Sequence, residues 1–175
     1  MAMPKALLIV AQDGYKDKEY LDVKAALIDN DVTVSTASKT KGPAKGVDGG
    51  TVDPDFALAD VKLDDFDGIV FIGGAGAAKF FDDAEALDLA KQAAAAEKVI
   101  GAICIAPTIL AKAGLLKGIR ATSFASEKDV LEKAGAKFTG VNIETQGKII
   151  TADGAEAAEE FGEKIAFTLM SDSIE

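Results

Sequence analysis

Short apolar runs alternate along this chain with longer segments of helical periodicity, and this alternation limits the possible folds more than any other feature. Residues 6–10, 68–72 and 99–103 are almost entirely apolar, which is typical of strands buried on both faces of a parallel sheet. Parallel strands need long crossover connections, and these are usually helices. The pattern predicts an α/β fold with a mostly parallel sheet covered by helices on both sides.

The other elements are predicted from periodicity and capping residues. One helix is expected over residues 17–29 with Asp17 as its N-cap, and another begins at Ser126, with Asp129 completing an acidic capping pattern. The final helix carries an apolar stripe with a spacing of four residues. The remaining predictions are helices over 84–98 and 108–116, strands over 31–36, 120–124 and 148–151, and a loop over 41–46. No internal repeat or long linker interrupts residues 1–175, so a single domain is expected.

Composition excludes several classes of partner. The net charge of -10 and the single arginine, Arg120, disfavour nucleic acid and anionic membrane surfaces. The apolar runs are too short to span a membrane, and no secretory signal is visible. One cysteine permits no internal disulfide, which fits a cytoplasmic protein. With no histidine and one cysteine, we expect no metal site. We also expect no cofactor, because Gly73-Gly74-Ala75-Gly76 does not complete a dinucleotide fingerprint.

The single cysteine, Cys104, stands where the run Val99–Ile103 meets a helix that begins near Pro107. Ligands bind at the carboxyl ends of parallel strands, and a sharp turn from strand to helix presents a side chain there, as in the nucleophile elbow. Unpaired N–H groups at the helix start would lower the pKa of the thiol. The alternative is that Cys104 is a small buried apolar residue.

Glu19 is the candidate partner of Cys104. On the first helix it shares a face with Val23, Ala26 and Leu27, so we expect it at the edge of the core. Burial would keep its carboxyl protonated near neutral pH, and it could then donate a hydrogen bond to the thiolate and move protons. The alternative is an exposed glutamate that is stabilised by the helix dipole.

Glycines follow the strand over residues 68–72. They would allow backbone N–H groups to approach a ligand closely, so Gly74 and Ile105 are candidate oxyanion donors. The alternative is a tight turn with no role in binding. Ser123 has no histidine to activate it, which excludes a serine triad.

Taken together, these segments resemble the ThiJ/PfpI superfamily, which includes the parkinsonism-associated deglycase and the PfpI-type proteases. The resemblance covers almost the whole chain and is strongest over 102–108. The other matching segments are 6–11, Glu19, 52–55, 67–74, 113–118, 147–151 and 157–161. The resemblance implies a flavodoxin-like three-layer sandwich, close to class I glutamine amidotransferases. It also implies that Cys104 is the elbow cysteine, that Glu19 bonds to it (with Asp17 as the alternative match), and that Gly74 and Ile105 are the oxyanion donors.

The chain departs from this superfamily at both histidine positions. Ile105 stands where protease-like members have histidine, and Phe124, beside Ser123, stands where deglycase-like members have it. A Cys-His protease mechanism is therefore excluded, and Gly73, Ser123 and Phe124 are expected to line the pocket. The resemblance also implies a homo-oligomer, either a dimer or a larger assembly.

Three functions remain open at this point. The first is a glyoxalase-like, deglycase-like or hydrolase activity on small reactive carbonyl compounds, in which Cys104 is the nucleophile and Glu19 transfers protons. The second is a redox sensor or stress chaperone that uses the same oxidisable cysteine. The third is a family member that has lost activity and serves as a subunit or binding protein.

Overall fold

The structure, a computed structural model, describes residues 2–174. Its strands, in chain order, are β1 (Lys5–Ile9), β2 (Asp13–Tyr15), β3 (Thr33–Ser38), β4 (Ala44–Gly46), β5 (Thr51–Val52), β6 (Phe56–Ala57), β7 (Gly68–Phe71), β8 (Val99–Ile103), β9 (Arg120–Ala121), β10 (Lys137–Phe138), β11 (Ile143–Gln146) and β12 (Ile149–Ala152). Its α-helices are α1 (Asp17–Asp29), α2 (Ala84–Ala95), α3 (Pro107–Lys112), α4 (Lys128–Lys133) and α5 (Ala158–Ile174).

A central sheet organises the fold, with the strand order β11-β12-β8-β7-β1-β3-β6. Every neighbouring pair is parallel except β11 with β12. Helices α1 and α5 pack against each other, while α2, α3 and α4 form a second packed group. The predicted mixed α/β architecture, with a mostly parallel sheet flanked by helices, is confirmed.

The three central strands are almost wholly inaccessible to solvent. All residues of β7 and β8, and all of β1 after Lys5, are buried, which explains why these strands are uninterrupted apolar runs. The predicted stripe on α5 is also buried, since Phe161, Ile165 and Leu169 are each at most 1 % exposed. Strands β1, β7 and β8 are adjacent and parallel, so the residues that follow them meet at one edge of the sheet.

Several local predictions were wrong. Lys16, not Asp17, is the N-cap of α1, and it makes no capping side-chain bond. Ser126 does not cap a helix, because residues 125–127 form a 3₁₀ turn before α4 and its hydroxyl bonds to Glu127. The segment 41–46 contains β4, and the predicted strand over 120–124 ends at Ala121. Helix α3 ends at Lys112 and α2 at Ala95, both earlier than predicted.

None of the helices within residues 2–174 is long and apolar enough to cross a membrane.

The contact between α1 and α5 depends on Gly162. A Cβ at this position would lie 2.8 Å from the Cβ of Ala26 and 3.2 Å from the backbone of Val23. Alanine normally stabilises a helix interior by up to about 1 kcal/mol relative to glycine. Here the added methyl group must push the two helices apart, which typically costs about 1–3 kcal/mol.

We therefore expect Gly162→Ala to lower the free energy of unfolding, measured by urea denaturation, although the substitution raises helix propensity. Glu163→Ala is the matched control, because Glu163 is the exposed neighbour of Gly162 on α5. A Gly162→Ala protein at least as stable as the wild type would contradict this account of the contact.

Candidate active site

The candidate site is built on a strained turn at the end of β8. Cys104 follows Ile103 directly and has a φ of 65°, a left-handed conformation that is uncommon for residues other than glycine. Two bonds hold this conformation: the N–H of Cys104 donates to the carbonyl of Ala152 (2.9 Å), and its carbonyl accepts from the N–H of Phe124 (2.8 Å). Such strain costs of order 1–3 kcal/mol and persists only where the surroundings enforce it. Cys104 is half-buried, so the predicted elbow geometry is present.

Glu19 reaches this turn from the first turn of α1. Its side chain is only 1 % exposed, as expected from its apolar face, where Val23, Ala26 and Leu27 are also buried. Its Oε1 accepts a hydrogen bond from the N–H of Gly73 (2.9 Å). Its carboxyl group is also hydrogen-bonded to the Cys104 thiol. The structure therefore brings together the two residues that the sequence proposed as a pair.

Glycines allow this close approach. A Cβ on Gly73 would lie 2.5 Å from the Glu19 carboxylate and 2.6 Å from the Cβ of Cys104. A Cβ on Gly74, whose φ is 105°, would lie 2.4 Å from the backbone N of Lys16. Neither clash could be relieved by moving a flexible side-chain end alone, because backbone or the paired groups themselves stand in the way. Positions 73 and 74, which follow β7, must therefore be glycine for this arrangement to form.

Burial dominates the ionisation of Glu19. It raises the pKa of Glu19 to about 7, although the N–H of Gly73, the Cys104 thiol and the charge of Lys16 each act to lower it. The expectation of a carboxyl that holds its proton close to neutral pH therefore agrees with the geometry.

The expected acidity of Cys104 is not supported. Burial, followed by the negative charge of Glu19, raises the pKa of the thiol to about 12. The N–H groups of Gly74 and Ile105 do bond to the sulfur and act to lower this pKa, but they are outweighed. Unpaired amides are the contribution that the sequence reveals, and the cost of burial and of a second negative charge beside the Glu19 carboxylate exceeds theirs.

These two groups titrate as a pair. Because a thiolate beside a carboxylate is so unfavourable, the pair loses one proton near pH 7 and keeps the other far above it. In the state with one proton, the hydrogen either stays on the sulfur or moves to the Glu19 carboxyl. The N–H of Gly73 stabilises a carboxylate, whereas those of Gly74 and Ile105 stabilise a thiolate.

Asp17, the alternative match for Glu19, does not reach the cysteine. Its carboxylate accepts from the N–H groups of Asp48 (2.8 Å) and Gly50 (2.7 Å). Burial acts to raise the pKa of Asp17, but these two bonds, together with the N–H of Asp17 itself and the charge of Lys16, outweigh it and the pKa is lowered. Asp17 therefore holds the 48–50 loop against the start of α1.

Sequence reasoning missed Lys16. Its backbone N–H donates to the carbonyl of Gly73 (2.9 Å), and its ammonium, which is paired with Asp48 (3.1 Å), acts on the carboxyl of Glu19. The available signal was its spacing, because the residue three positions before a helical glutamate lies on the same side of the helix.

The predicted pocket residues Ser123 and Phe124 lie next to the Cys104 turn. Ser123 is buried, and its hydroxyl donates to the carbonyl of Phe124 (2.9 Å). The side chain of Phe124 is exposed, and both residues line a cavity of about 600 Å³. No histidine can complete a triad here, because the chain has none. Within residues 2–174, no three Cys, Asp or Glu side chains are arranged to hold a metal ion.

Comparison with known proteins assigns the architecture. The DJ-1/PfpI family model matches residues 4–167. A ThiJ/PfpI domain protein from Brachyspira murdochii has a solved structure that superposes with a TM-score of 0.94 at 25 % identity, over 98 % of this chain and 99 % of the other.

Two relatives are about equally similar in sequence. A glutathione-independent glyoxalase of Caenorhabditis elegans is 31 % identical over 96 % of this chain and 90 % of its own length. A deglycase of Pyrococcus abyssi is 30 % identical over 83 % of this chain and 88 % of its own.

The raised pKa of Glu19 has a direct consequence for stability. Between a pKa of about 4.5 in the unfolded chain and about 7 in the folded one, the native state binds more protons than the unfolded state. The contribution of Glu19 to the free energy of unfolding is therefore most favourable below about pH 4.5, and it is lost as the pH rises to about 7. A shift of this size corresponds to roughly 3 kcal/mol.

The wild type should lose roughly 3 kcal/mol of unfolding free energy between about pH 4 and about pH 8 because Glu19 ionises. In Glu19→Gln, which cannot ionise, this loss should be absent, so the variant gains that amount relative to the wild type; urea denaturation at the two pH values measures it. Glu163→Gln, which removes an exposed carboxyl from α5, is the control and should show almost no such gain. The prediction fails if the two variants respond to pH alike.

Proposed function

The chain belongs to the DJ-1/PfpI family, and from that membership we propose that it is an enzyme acting on small reactive carbonyl compounds, with Cys104 as nucleophile and Glu19 as proton carrier. The observation that carries the proposal is a hydrogen bond between the buried carboxyl group of Glu19 and the thiol of Cys104. The thiol is held there by a strained turn. The glyoxalase and deglycase relatives support this class of substrate.

The first step is addition to an aldehyde. With the single proton of the pair on Glu19, the Cys104 thiolate attacks the carbonyl carbon and forms a carbon–sulfur bond. The carbonyl π electrons move to oxygen, and that oxygen takes the proton from Glu19, giving a neutral hemithioacetal and a carboxylate. Because no leaving group departs in this step, an imidazole is not required.

The second stage uses Glu19 as a base. For a 2-oxoaldehyde, the Glu19 carboxylate takes the hydrogen as a proton from the carbon bound to sulfur and returns it to the neighbouring carbon. The hydroxyl proton of the hemithioacetal moves to the neighbouring carbonyl oxygen, and the hemithioacetal thereby becomes a thioester. Water then cleaves the thioester, releases a 2-hydroxy acid and restores the thiol. The N–H groups of Gly74 and Ile105, which surround the sulfur, would stabilise the negative charge that develops there and on the adjacent oxygen.

The raised pKa of Cys104 also affects the two other candidate functions, a redox sensor or stress chaperone and a family member that has lost activity. A thiol that is mostly protonated reacts slowly with peroxide and with aldehydes alike. The raised pKa of Cys104 therefore counts against a redox sensor, and it leaves the enzyme only the form of the pair in which the single proton lies on Glu19. An elevated pKa is, however, what we expect of a family member that has lost activity, and this remains the second candidate. Assembly into a homo-oligomer remains a prediction that the family resemblance implies.

Activity assays on purified protein test the proposal. With methylglyoxal as the probe, we expect Cys104→Ala to abolish turnover and Glu19→Gln to reduce kcat at least about 100-fold, which is the usual contribution of a positioned acid or base. Glu163→Gln should retain full activity. Wild-type turnover no faster than that of Cys104→Ala would leave the inactive family member as the correct account.

The pH dependence of kcat/KM should follow the titration of Glu19 and Cys104 as a pair. Below about pH 7 both groups are protonated, so no thiolate is available; as the pH rises through about 7 the pair loses its first proton and kcat/KM should rise. In Glu19→Gln the neighbouring charge is absent, so the pKa of Cys104 should fall below about 12.

Alkylation with iodoacetamide, followed by intact mass, measures this thiol pKa independently of turnover. A Glu19→Gln protein whose thiol titrates at the same pH as the wild type, or at a higher pH, would show that the two groups are not coupled.

A further inference from the structure

A second cavity, separate from the candidate active site, has both tyrosines of the chain in its walls. Its volume is about 380 Å³, which lies within the range that holds small ligands. The walls come from β2, the first half of α1, β3 and the segment 50–55. We call it the tyrosine cavity, after Tyr15 and Tyr20. Neither Glu19 nor Cys104 is among the described residues that line it.

The hydroxyl of Tyr15 is a buried donor without an acceptor. Tyr15 is only 2 % exposed, and within residues 2–174 its hydroxyl makes no hydrogen bond to another residue. A Cβ on Gly50, which lines the cavity, would lie 3.3 Å from the hydroxyl oxygen, so the hydroxyl lies at the cavity wall. Burial, followed by the charge of Asp17, raises the pKa of Tyr15. The phenol therefore keeps its proton and can donate it.

A second hydroxyl proton in the same wall is also unused. The hydroxyls of Tyr20 and Thr36, both buried, are joined by one hydrogen bond of 2.8 Å. Two hydroxyls carry two protons, and one bond between them uses only one. Neither hydroxyl bonds to a further residue in the part of the chain that the structure describes. The rings of Tyr15 and Tyr20 pack edge to face, 5.7 Å between centroids, so the two unused donors share one wall.

The charges around the tyrosine cavity disfavour both a simple anion and a simple cation. Three carboxylates, Asp17, Asp53 and Asp55, line it with one ammonium, Lys24, which lies 5.6 Å from the centre of the Tyr20 ring. The excess of carboxylates repels an anion. An ammonium or guanidinium ion has no acceptor for the two unused hydroxyl protons.

A neutral hydroxylated ligand meets both requirements. Each of its hydroxyl groups can accept from a tyrosine and donate to a carboxylate. Asp55 is already held beside the hydroxyl pair, because its Oδ2 accepts the N–H of Thr36 (2.9 Å). Its remaining lone pairs are therefore available at a fixed position in the wall.

We propose that the tyrosine cavity binds a neutral polyhydroxylated compound, whose oxygen atoms accept hydrogen bonds from Tyr15 and from the pair of Tyr20 and Thr36. The site is distinct from the candidate nucleophile. The inference therefore goes beyond the proposed function and does not rest on it.

The two tyrosines themselves can report occupancy of the cavity. The chain has two tyrosines and no tryptophan, so its tyrosine fluorescence comes only from residues that line this cavity. The probe is sorbitol, and its charged counterparts are gluconate and glucamine, which carry a similar hydroxylated chain with a carboxylate or an ammonium. None of the three has an aldehyde or ketone that Cys104 could attack. Binding to a site saturates with concentration, whereas the general stabilising effect of polyols does not.

Tyr15→Phe is the decisive variant, because it removes only the unpaired hydroxyl and leaves Tyr20 as the reporter. We expect a saturable change of fluorescence with sorbitol in the wild type, with tighter binding than for gluconate or glucamine. Binding of sorbitol should be about fivefold weaker in Tyr15→Phe, which is the usual net effect of one hydrogen bond. Cys104→Ala should bind sorbitol as the wild type does.

Urea denaturation without polyol separates an unpaired hydroxyl from one that serves the fold. Tyr15→Phe should keep or raise the denaturation midpoint, since no buried partner is left unsatisfied. Tyr20→Phe is the matched control and should lower it, because the Thr36 hydroxyl loses its bond. A midpoint lowered as far in Tyr15→Phe as in Tyr20→Phe would overturn the inference.

Three results with the probes would also overturn it. These are no saturable change with sorbitol, equal affinity in the wild type and Tyr15→Phe, and tighter binding of either charged counterpart. All of them are distinguishable from failure of the proposed function. Sorbitol binding without turnover of methylglyoxal would leave a polyol-binding protein with an inactive cysteine, and turnover without sorbitol binding would leave an enzyme without this second site.

Discussion

The contact between a buried carboxyl and a thiol is the interaction on which the rest of the site depends. Glu19 and Cys104 come from segments 85 residues apart in the chain, and they meet only because Gly73 places nothing but a backbone N–H between them. Both groups are withdrawn from water, so two negative charges are strongly disfavoured and a single proton is retained over a wide range of pH. The chemistry we propose is the movement of that one proton.

Much of this arrangement could be predicted from the sequence, because the strongest constraints are local or periodic. The central strands are uninterrupted apolar runs, and α1 matches its predicted span. Cys104 and Glu19 were identified from their positions at element boundaries and from the apolar face that Glu19 shares. Strands β2, β4, β5, β6 and β10 were not found, since two or three residues of extended chain carry no periodic signal. The four-residue edge strand β11 was also missed.

The electrostatics were the part that sequence could not supply. Whether the pKa of a thiol falls or rises depends on the balance of nearby amides, burial and neighbouring charge. Only the amides can be inferred from the place where a strand is followed by a helix. The helix caps failed for a related reason. Asp17 and Ser126 are good capping residues, yet the 48–50 loop amides and Glu127 bind their side chains instead. The competing partners of Asp17 lie 31 and 33 residues away along the chain, whereas the competing partner of Ser126 is the next residue.

The turn at Cys104 is joined by hydrogen bonds or direct contacts to residues 19, 73, 124 and 152, so its parts are spread over most of the chain. Such contacts of large sequence separation form late, since each requires long loops to close first. A truncated or half-assembled chain would hold Cys104 as an ordinary flexible thiol with ordinary acidity. The sulfur is thus a built-in indicator of complete folding: it becomes unusual only when the last strand has docked.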